Sequence, residues 1–217
     1  MIVGINLNFK NMILLKYQPQ PLFDFGSDPE PVPKKPAATK EVKTSKIPTD
    51  IFLRQLYSES GLGEGALYKK QLLSRSANSP LAVGPAQIQK VALDEYNKKY
   101  NKKYNLEDRL KPEVAAEIQS GYMKDLYNKD FINKPNQLEK VRIAKTLLAY
   151  NRGPGAAKTI LTDLKNKGYD IYNSLDWVDK IPNAEGKKYV TNIIKGFSPE
   201  DETKYQKLVK NTTFKYD

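Results

Sequence analysis

Glu59 is the residue whose type and spacing best suit acid–base chemistry. Phe52 and Leu56 precede it by seven and three residues, so in a helix its carboxyl would project from the apolar stripe. A carboxyl on that face is partly desolvated, which raises its pKa and favours proton donation near neutral pH. The alternative is a glutamate at a helix end that tips into solvent or caps a neighbouring backbone. Spacing alone leaves both interpretations open.

Two further segments carry residues suited to binding hydroxyls and amides. In 82–89, small residues allow close backbone approach, and Gln87 offers a neutral donor and acceptor. Segment 149–155 reads Ala-Tyr-Asn-Arg-Gly-Pro-Gly and places Tyr150 and Asn151 at the junction of two predicted helices. Aromatic faces bind sugar rings, while phenol and amide groups bond hydroxyls. Each segment alone also fits an ordinary loop or helical corner, with Tyr150 in the core.

Composition narrows the chemistry further. The 217-residue chain has no cysteine and no histidine, which excludes disulfides, Cys/His zinc sites and histidine-dependent triads. Acid–base chemistry must therefore fall to Asp, Glu, Lys or Tyr, and no cofactor or metal is expected. The formal charge is +11, which suits a polyanionic partner: nucleic acid, an anionic membrane face or an acidic wall polymer. The excess is mostly Lys scattered among Asn and Tyr, which is more typical of a solvated surface.

The pattern from residue 49 to the end predicts a mainly α domain over 49–197, followed by a charged C-terminal helix and tail over 198–217. Thr49 or Asp50 can cap the first helix, which Gly61 and Gly63 would end. Further helices are indicated by a proline in the first turn or by apolar residues at helical spacing. They are predicted to start near Pro85, Pro112, Pro154 and Pro199, and to lie over 137–150, around Trp177 and over 184–196.

The first 48 residues differ in character. Residues 1–17 alternate apolar and polar side chains as in a short strand, and 18–48 carry seven of the 14 prolines. We therefore predict an N-terminal strand or anchor followed by a Pro-rich linker or wrapping arm. Segment 1–17 lacks the basic start and continuous apolar run of a secretory signal, and neither a signal peptide nor a membrane span is expected. The alternative is a disordered tail with no partner.

Four segments together resemble the soluble lytic transglycosylase (SLT) family, lysozyme-like domains that cleave peptidoglycan glycan strands. The segments are Glu-Ser at 59–60, Gly-x-x-Gln at 84–87, the 149–155 run and Glu-Gly-Lys-Lys-Tyr-Val at 185–190. The family's usual forms are Glu-Ser-Gly, Gly-Ala-x-Gly-Leu-Met-Gln, Ala-Tyr-Asn-Ala-Gly-Pro-Gly and Glu-Thr-Arg-x-Tyr-Val. The resemblance covers 49–197 and implies a lysozyme-like helical fold.

By this resemblance Glu59 is the single catalytic acid/base. It would protonate the glycosidic oxygen between N-acetylmuramic acid and N-acetylglucosamine, and then take the proton of the muramyl C6 hydroxyl, giving a 1,6-anhydromuramic end. The substrate's 2-acetamido oxygen would replace a second carboxylate. The resemblance also implies a substrate-binding cleft lined by Ser60, Gln87, Tyr150 and Asn151. Glu185 would support the site by hydrogen bonding, or it is a surface residue near Lys187 and Lys188.

This chain departs from the family pattern at several places, beginning with Leu81 where the family has its first loop Gly. Pro85-Ala86 stands where the family has Leu-Met, which changes the apolar floor of the cleft. The interval before Gln87 is longer than usual, and its extra residues, 64–78, could form a lid, a specificity loop or a source of another carboxylate. Glu64 could position a water and make the enzyme a hydrolytic muramidase. Gly186-Lys187 replaces the family's Thr-Arg, so a guanidinium is lost there.

The resemblance to the SLT family also predicts the partners and the location of the protein. The expected substrate is peptidoglycan, so the protein would act at the bacterial cell wall, delivered as a component of a phage virion or secretion machine through residues 1–48. A non-catalytic structural or adaptor protein that keeps the lysozyme-like fold is the rival from another class. Specific nucleic-acid binding ranks last because neither an Arg stripe nor a recognised motif is present.

Overall fold

The computed structural model describes residues 47–62, 65, 69, 82–212, 214 and 216. They belong to one compact unit, Ser45–Asp217. The predicted strand over 1–17, nearly all of the linker over 18–48, and Glu64 with almost all of the 64–78 insertion lie outside the described residues.

The described part of the chain is mainly helical, which confirms the predicted fold class. Its α-helices are α1 (Thr49–Ser60), α2 (Lys90–Tyr100), α3 (Pro112–Tyr127), α4 (Glu139–Arg152), α5 (Pro154–Asn166), α6 (Ala184–Lys195) and α7 (Pro199–Val209). Short 3₁₀ helices cover Glu107–Leu110 and Asp176–Lys180. Within the described ranges no helix is long and apolar enough to cross a membrane.

The ends of α1 follow the prediction only in part. Gly61 ends the helix in the left-handed region, as expected of a glycine C-cap. Its N–H bonds back to Tyr57 O at 2.8 Å, and the N–H of Leu62 bonds to Leu56 O at 3.3 Å. The prediction that Thr49 or Asp50 caps the start is wrong. Pro48 is the N-cap, without a side-chain cap hydrogen bond. The Asp50 carboxylate instead accepts hydrogen bonds from side chains further along the chain.

The second helix begins at Lys90, so its predicted start at Pro85 is wrong. Residues 84–87 form a turn closed by an antiparallel bridge, with Ile88 N–H to Val83 O at 2.9 Å and Val83 N–H to Ile88 O at 3.3 Å. Gly84 and Gln87 have φ of +83° and +46°, and a right-handed helix cannot include such residues. The segment is therefore a tight loop, which we call the 83–88 turn.

Helix α4 is the centre of the domain and packs against α3, α5 and α6. Its residues from Ile143 to Ala149 are all buried, which is the pattern of a helix enclosed on every side. Trp177, fully buried, belongs to the same core. Because α4 is held on three sides, the residues at its C-terminal end have a fixed position relative to α6.

Helix α7 is attached to α1 through the buried guanidinium of Arg54. This guanidinium donates to Glu202 at 2.9 and 3.0 Å and to Asp50 at 2.7 Å. It also stacks over the ring of Tyr205, whose hydroxyl donates to the other Asp50 oxygen at 2.7 Å. The residues predicted as a C-terminal helix and tail thus include a helix packed against the first helix of the domain.

Candidate active site

Glu59 lies in the last turn of α1 and is half-buried, with its carboxyl turned towards α6. Burial raises the pKa of this carboxyl to about 7. The hydrogen bond from Tyr189 opposes that rise, and the negative charge of Glu185 adds to it. At neutral pH the group is thus divided between its acid and its carboxylate form. It can donate a proton and then accept one.

Tyr189 fixes the carboxyl of Glu59. It is 7 % exposed on α6, and its hydroxyl donates to Glu59 Oε1 at 2.7 Å. Burial, followed by the charge of Glu59, raises the pKa of this phenol well above its usual value. Tyr189 therefore stays protonated and remains a donor. The position of α6 is fixed by its packing on both α1 and α4.

Gln55 lies one turn before Glu59 and is fully buried beside the same phenol. Its amide lowers the pKa of Tyr189, against the larger effects of burial and of Glu59. Neither amide atom makes a well-formed hydrogen bond to the residues that the structure describes. A buried amide without strong partners lowers the stability of the fold. We therefore count Gln55, which lies next to Glu59 and Tyr189, as part of the site.

Tyr150 brings the 83–88 turn to the acid. It is half-buried near the end of α4, and its hydroxyl donates to the backbone carbonyl of Ala86 at 2.8 Å. Burial, and after it the charge of Glu59, raises the pKa of the Tyr150 phenol well above its usual value. Its ring contacts Tyr122 edge to face at 5.8 Å between centroids. Tyr150 thus connects α3, α4 and the turn beside Glu59.

Gln87 and Ser60 both use their side chains within their own segments. Gln87 is half-buried, and its Nε2 donates to Gly84 O at 2.8 Å, which stabilises the turn. Ser60 is 4 % exposed, and its hydroxyl donates to Leu56 O at 3.2 Å within α1. Their roles in substrate binding stay predictions.

Asn151 has a buried acceptor. Its Oδ1 is buried and makes no hydrogen bond within the described part of the chain. A Cβ built on Gly186 would stand 3.5 Å from this oxygen, so the amide faces the first turn of α6. An unsatisfied carbonyl oxygen on the residue after Tyr150 suits an incoming amide or hydroxyl donor.

Glu185 lies at the start of α6 with its side chain 73 % exposed. Its Oε2 stands 3.8 Å from Nη1 of Arg152. Its effect on the site is electrostatic, because its charge raises the pKa of Glu59. The expected support by hydrogen bonding stays a prediction.

The structure therefore brings Tyr150 of α4 and Tyr189 of α6 to the carboxyl of Glu59 on α1. Tyr189 belongs to the 185–190 motif, for which the sequence predicted a role only at Glu185. Its spacing of four residues from Glu185 already placed both on one helix face. Gln55 was missed, although it also lies four residues before Glu59.

The site and the helical fold define a mainly helical domain with a half-buried carboxyl, Glu59, held by Tyr189. A protein-family model described as "Transglycosylase SLT domain" matches residues 37–173, more than half of the chain. The chain belongs to this family, whose lysozyme-like domains have transglycosylase activity on cell-wall peptidoglycan. The match ends before Glu185 and Tyr189. A search of curated proteins and a search of solved structures each found no significant match.

Proposed function

We propose that this protein is a lytic transglycosylase that cuts the β-1,4 bond between N-acetylmuramic acid and N-acetylglucosamine, with Glu59 as the acid and then the base. The observation that carries the proposal is the half-buried carboxyl of Glu59. Burial raises the pKa of this carboxyl to about 7, and it accepts a hydrogen bond from Tyr189. Membership in the SLT family supports the same substrate.

The reaction begins with a proton transfer. Protonated Glu59 donates to the glycosidic oxygen as the bond from that oxygen to muramyl C1 breaks, and the N-acetylglucosamine leaves with a hydroxyl. The oxygen of the 2-acetamido group bonds to C1 and holds the positive charge, as in substrate-assisted glycosidases. No second protein carboxylate is required for this step.

The second step closes the ring. The muramyl C6 oxygen bonds to C1, the acetamido oxygen leaves, and the C6 hydroxyl proton passes to the Glu59 carboxylate. The acid is thereby regenerated, and no water is consumed. Tyr189 supports both steps because its hydrogen bond holds one Glu59 oxygen and leaves the other for the substrate.

The direct test is Glu59→Gln, which keeps the shape of the side chain and removes the proton. We expect the clearing of purified wall sacculi to fall by at least about a hundredfold, the usual contribution of a positioned acid. Equal activity of the two proteins would dismiss Glu59 as the acid. A wild-type protein without activity would favour the structural or adaptor alternative.

The products distinguish the two reactions that a single acid can catalyse, transglycosylation and hydrolysis. Mass spectrometry of the released glycan should show ends lighter than a reducing end by one water molecule. Reducing ends would instead indicate a hydrolytic muramidase that uses the same Glu59.

We further propose that the protein reaches the wall as a component of a virion or secretion machine, held by its N-terminal residues. The support is the sequence pattern of residues 1–48, in which an alternating segment precedes a Pro-rich one.

A further inference from the structure

Arg152 lies at the edge of the site, directly after Tyr150 and Asn151 at the end of α4. Its side chain is 34 % exposed and extends over the start of α6, the helix that carries Tyr189. The same two helices that carry Tyr150 and Tyr189 therefore also carry a guanidinium, next to Glu185, whose charge acts on Glu59.

Gly186 makes room for this arginine. A Cβ built on Gly186 would stand 3.3 Å from Cδ and 3.4 Å from Cγ of Arg152, closer than ordinary contacts. A side chain at position 186 would thus push the arginine stem aside by a few tenths of an ångström. The family pattern has Thr-Arg at 186–187 and Ala at 152, whereas this chain has Gly-Lys and Arg. In this chain the arginine near the start of α6 therefore belongs to α4.

The guanidinium is only loosely paired in the protein. Its Nη1 is 3.8 Å from Glu185 Oε2, beyond hydrogen-bond distance. The Glu185 side chain is 73 % exposed, and an exposed ion pair contributes little. A carboxylate from a ligand can therefore replace Glu185 and form a two-pronged pair with the planar guanidinium.

We propose that Arg152 binds a carboxylate of the peptide carried by the muramyl residue, and so makes the enzyme selective for strands with acidic peptides. This inference rests on the proposed function. The muramyl ring whose glycosidic bond Glu59 protonates carries the peptide on its own lactyl group, so the peptide leaves the cleft next to the acid. Its carboxylates are the anionic groups of this substrate nearest to the scissile bond.

The experiment compares two forms of the same peptidoglycan fragments. In one form the peptide carboxylates are free, and in the other they are converted to carboxamides, which keeps the size and removes the charge. We expect the wild type to prefer the free form. Arg152→Ala should reduce this preference in kcat/KM about tenfold, mainly through KM, since one charge-assisted pair is lost.

Two variants serve as comparisons. Gly186→Ala should reproduce part of the effect of Arg152→Ala, because the added methyl displaces the arginine stem. Lys158→Ala removes an equal charge from the exposed face of α5 and should keep the preference. An unchanged preference in Arg152→Ala, or an equal loss on both forms, would overturn the proposal.

Binding separates this proposal from the proposed function. Dissociation constants for the two forms are measured with Glu59→Gln, with and without Arg152→Ala. If the wild type cleaves neither form, the proposed function fails. A preference for free carboxylates that needs Arg152 would still support the binding site, and no preference would refute it.

Discussion

At the scale of residues, burial and two side chains set the protonation of Glu59 in different ways. Burial raises its pKa to about 7, the Tyr189 hydroxyl lowers it, and the Glu185 carboxylate raises it. A general acid must be protonated, so activity should fall as the pH rises through this pKa. The alkaline limb of the pH profile therefore reports the balance among the three effects.

Glu185→Gln and Tyr189→Phe should move that limb in opposite directions. Removing the Glu185 charge lowers the pKa of Glu59, so the loss of activity should begin at lower pH. Removing the Tyr189 hydroxyl takes a hydrogen bond from the carboxylate, so the loss should begin at higher pH, with kcat lower by about tenfold. Measuring kcat/KM against pH for both variants tests this, and shifts in the same direction would contradict the assigned roles.

At the scale of elements, α7 stabilises α1, the helix that carries the acid. The contact depends on Arg54, whose side chain is 3 % exposed between the carboxylates of Asp50 and Glu202. A guanidinium buried this fully against two carboxylates is costly to remove, because the remaining charges lose their partner. The C-terminal residues therefore contribute to the position of the site through α1.

Arg54→Ala should lower the free energy of unfolding by roughly 2 to 3 kcal/mol, less than for a fully enclosed pair because both carboxylates are partly exposed. Urea denaturation of the wild type and the variant measures this difference in the free energy of unfolding. Lys204→Ala is the matched control, because it removes an exposed pair with Glu200 on the same helix and should cost less than about 0.5 kcal/mol. Equal effects of the two variants would show that the Arg54 contact does not stabilise the domain.

At the scale of the whole molecule, the family match begins at residue 37 and the compact unit at Ser45. The formal charge of +11 favours approach to an anionic wall over the roughly 8 Å range of electrostatics at physiological salt. Catalysis and delivery therefore belong to different parts of the chain in our proposals.

Deletion of residues 1–36 tests the delivery proposal while keeping the whole matched region. We expect activity on sacculi in solution to stay at the wild-type level, and incorporation into the host particle or machine to be lost. Western blotting of purified particles measures the second effect. Incorporation of the truncated chain would contradict the anchoring role.

The sequence by itself determined the helical class and the family, and it placed Glu59 on the apolar side of the first helix. These depend on local signals: the apolar spacing before Glu59, proline in the first turns of α3, α5 and α7, and short motifs that keep their order along the chain. Pro85 misled the same reasoning, because the left-handed backbone of Gly84 and Gln87 reflects a closed turn rather than a helix start.

Only the tertiary structure decided which side chains act on the acid. Tyr189 lies 130 residues after Glu59, and Tyr150 meets Ala86 across 64 residues. Gln55 and Arg54 look like surface residues by type, yet packing buries both. Such contacts depend on how α1, α4 and α6 pack, and the pKa of Glu59 depends on the desolvation that this packing creates. Periodicity along the chain predicts the direction of the pKa shift of Glu59, but it encodes neither the side chains that contact the carboxyl nor the extent of its burial.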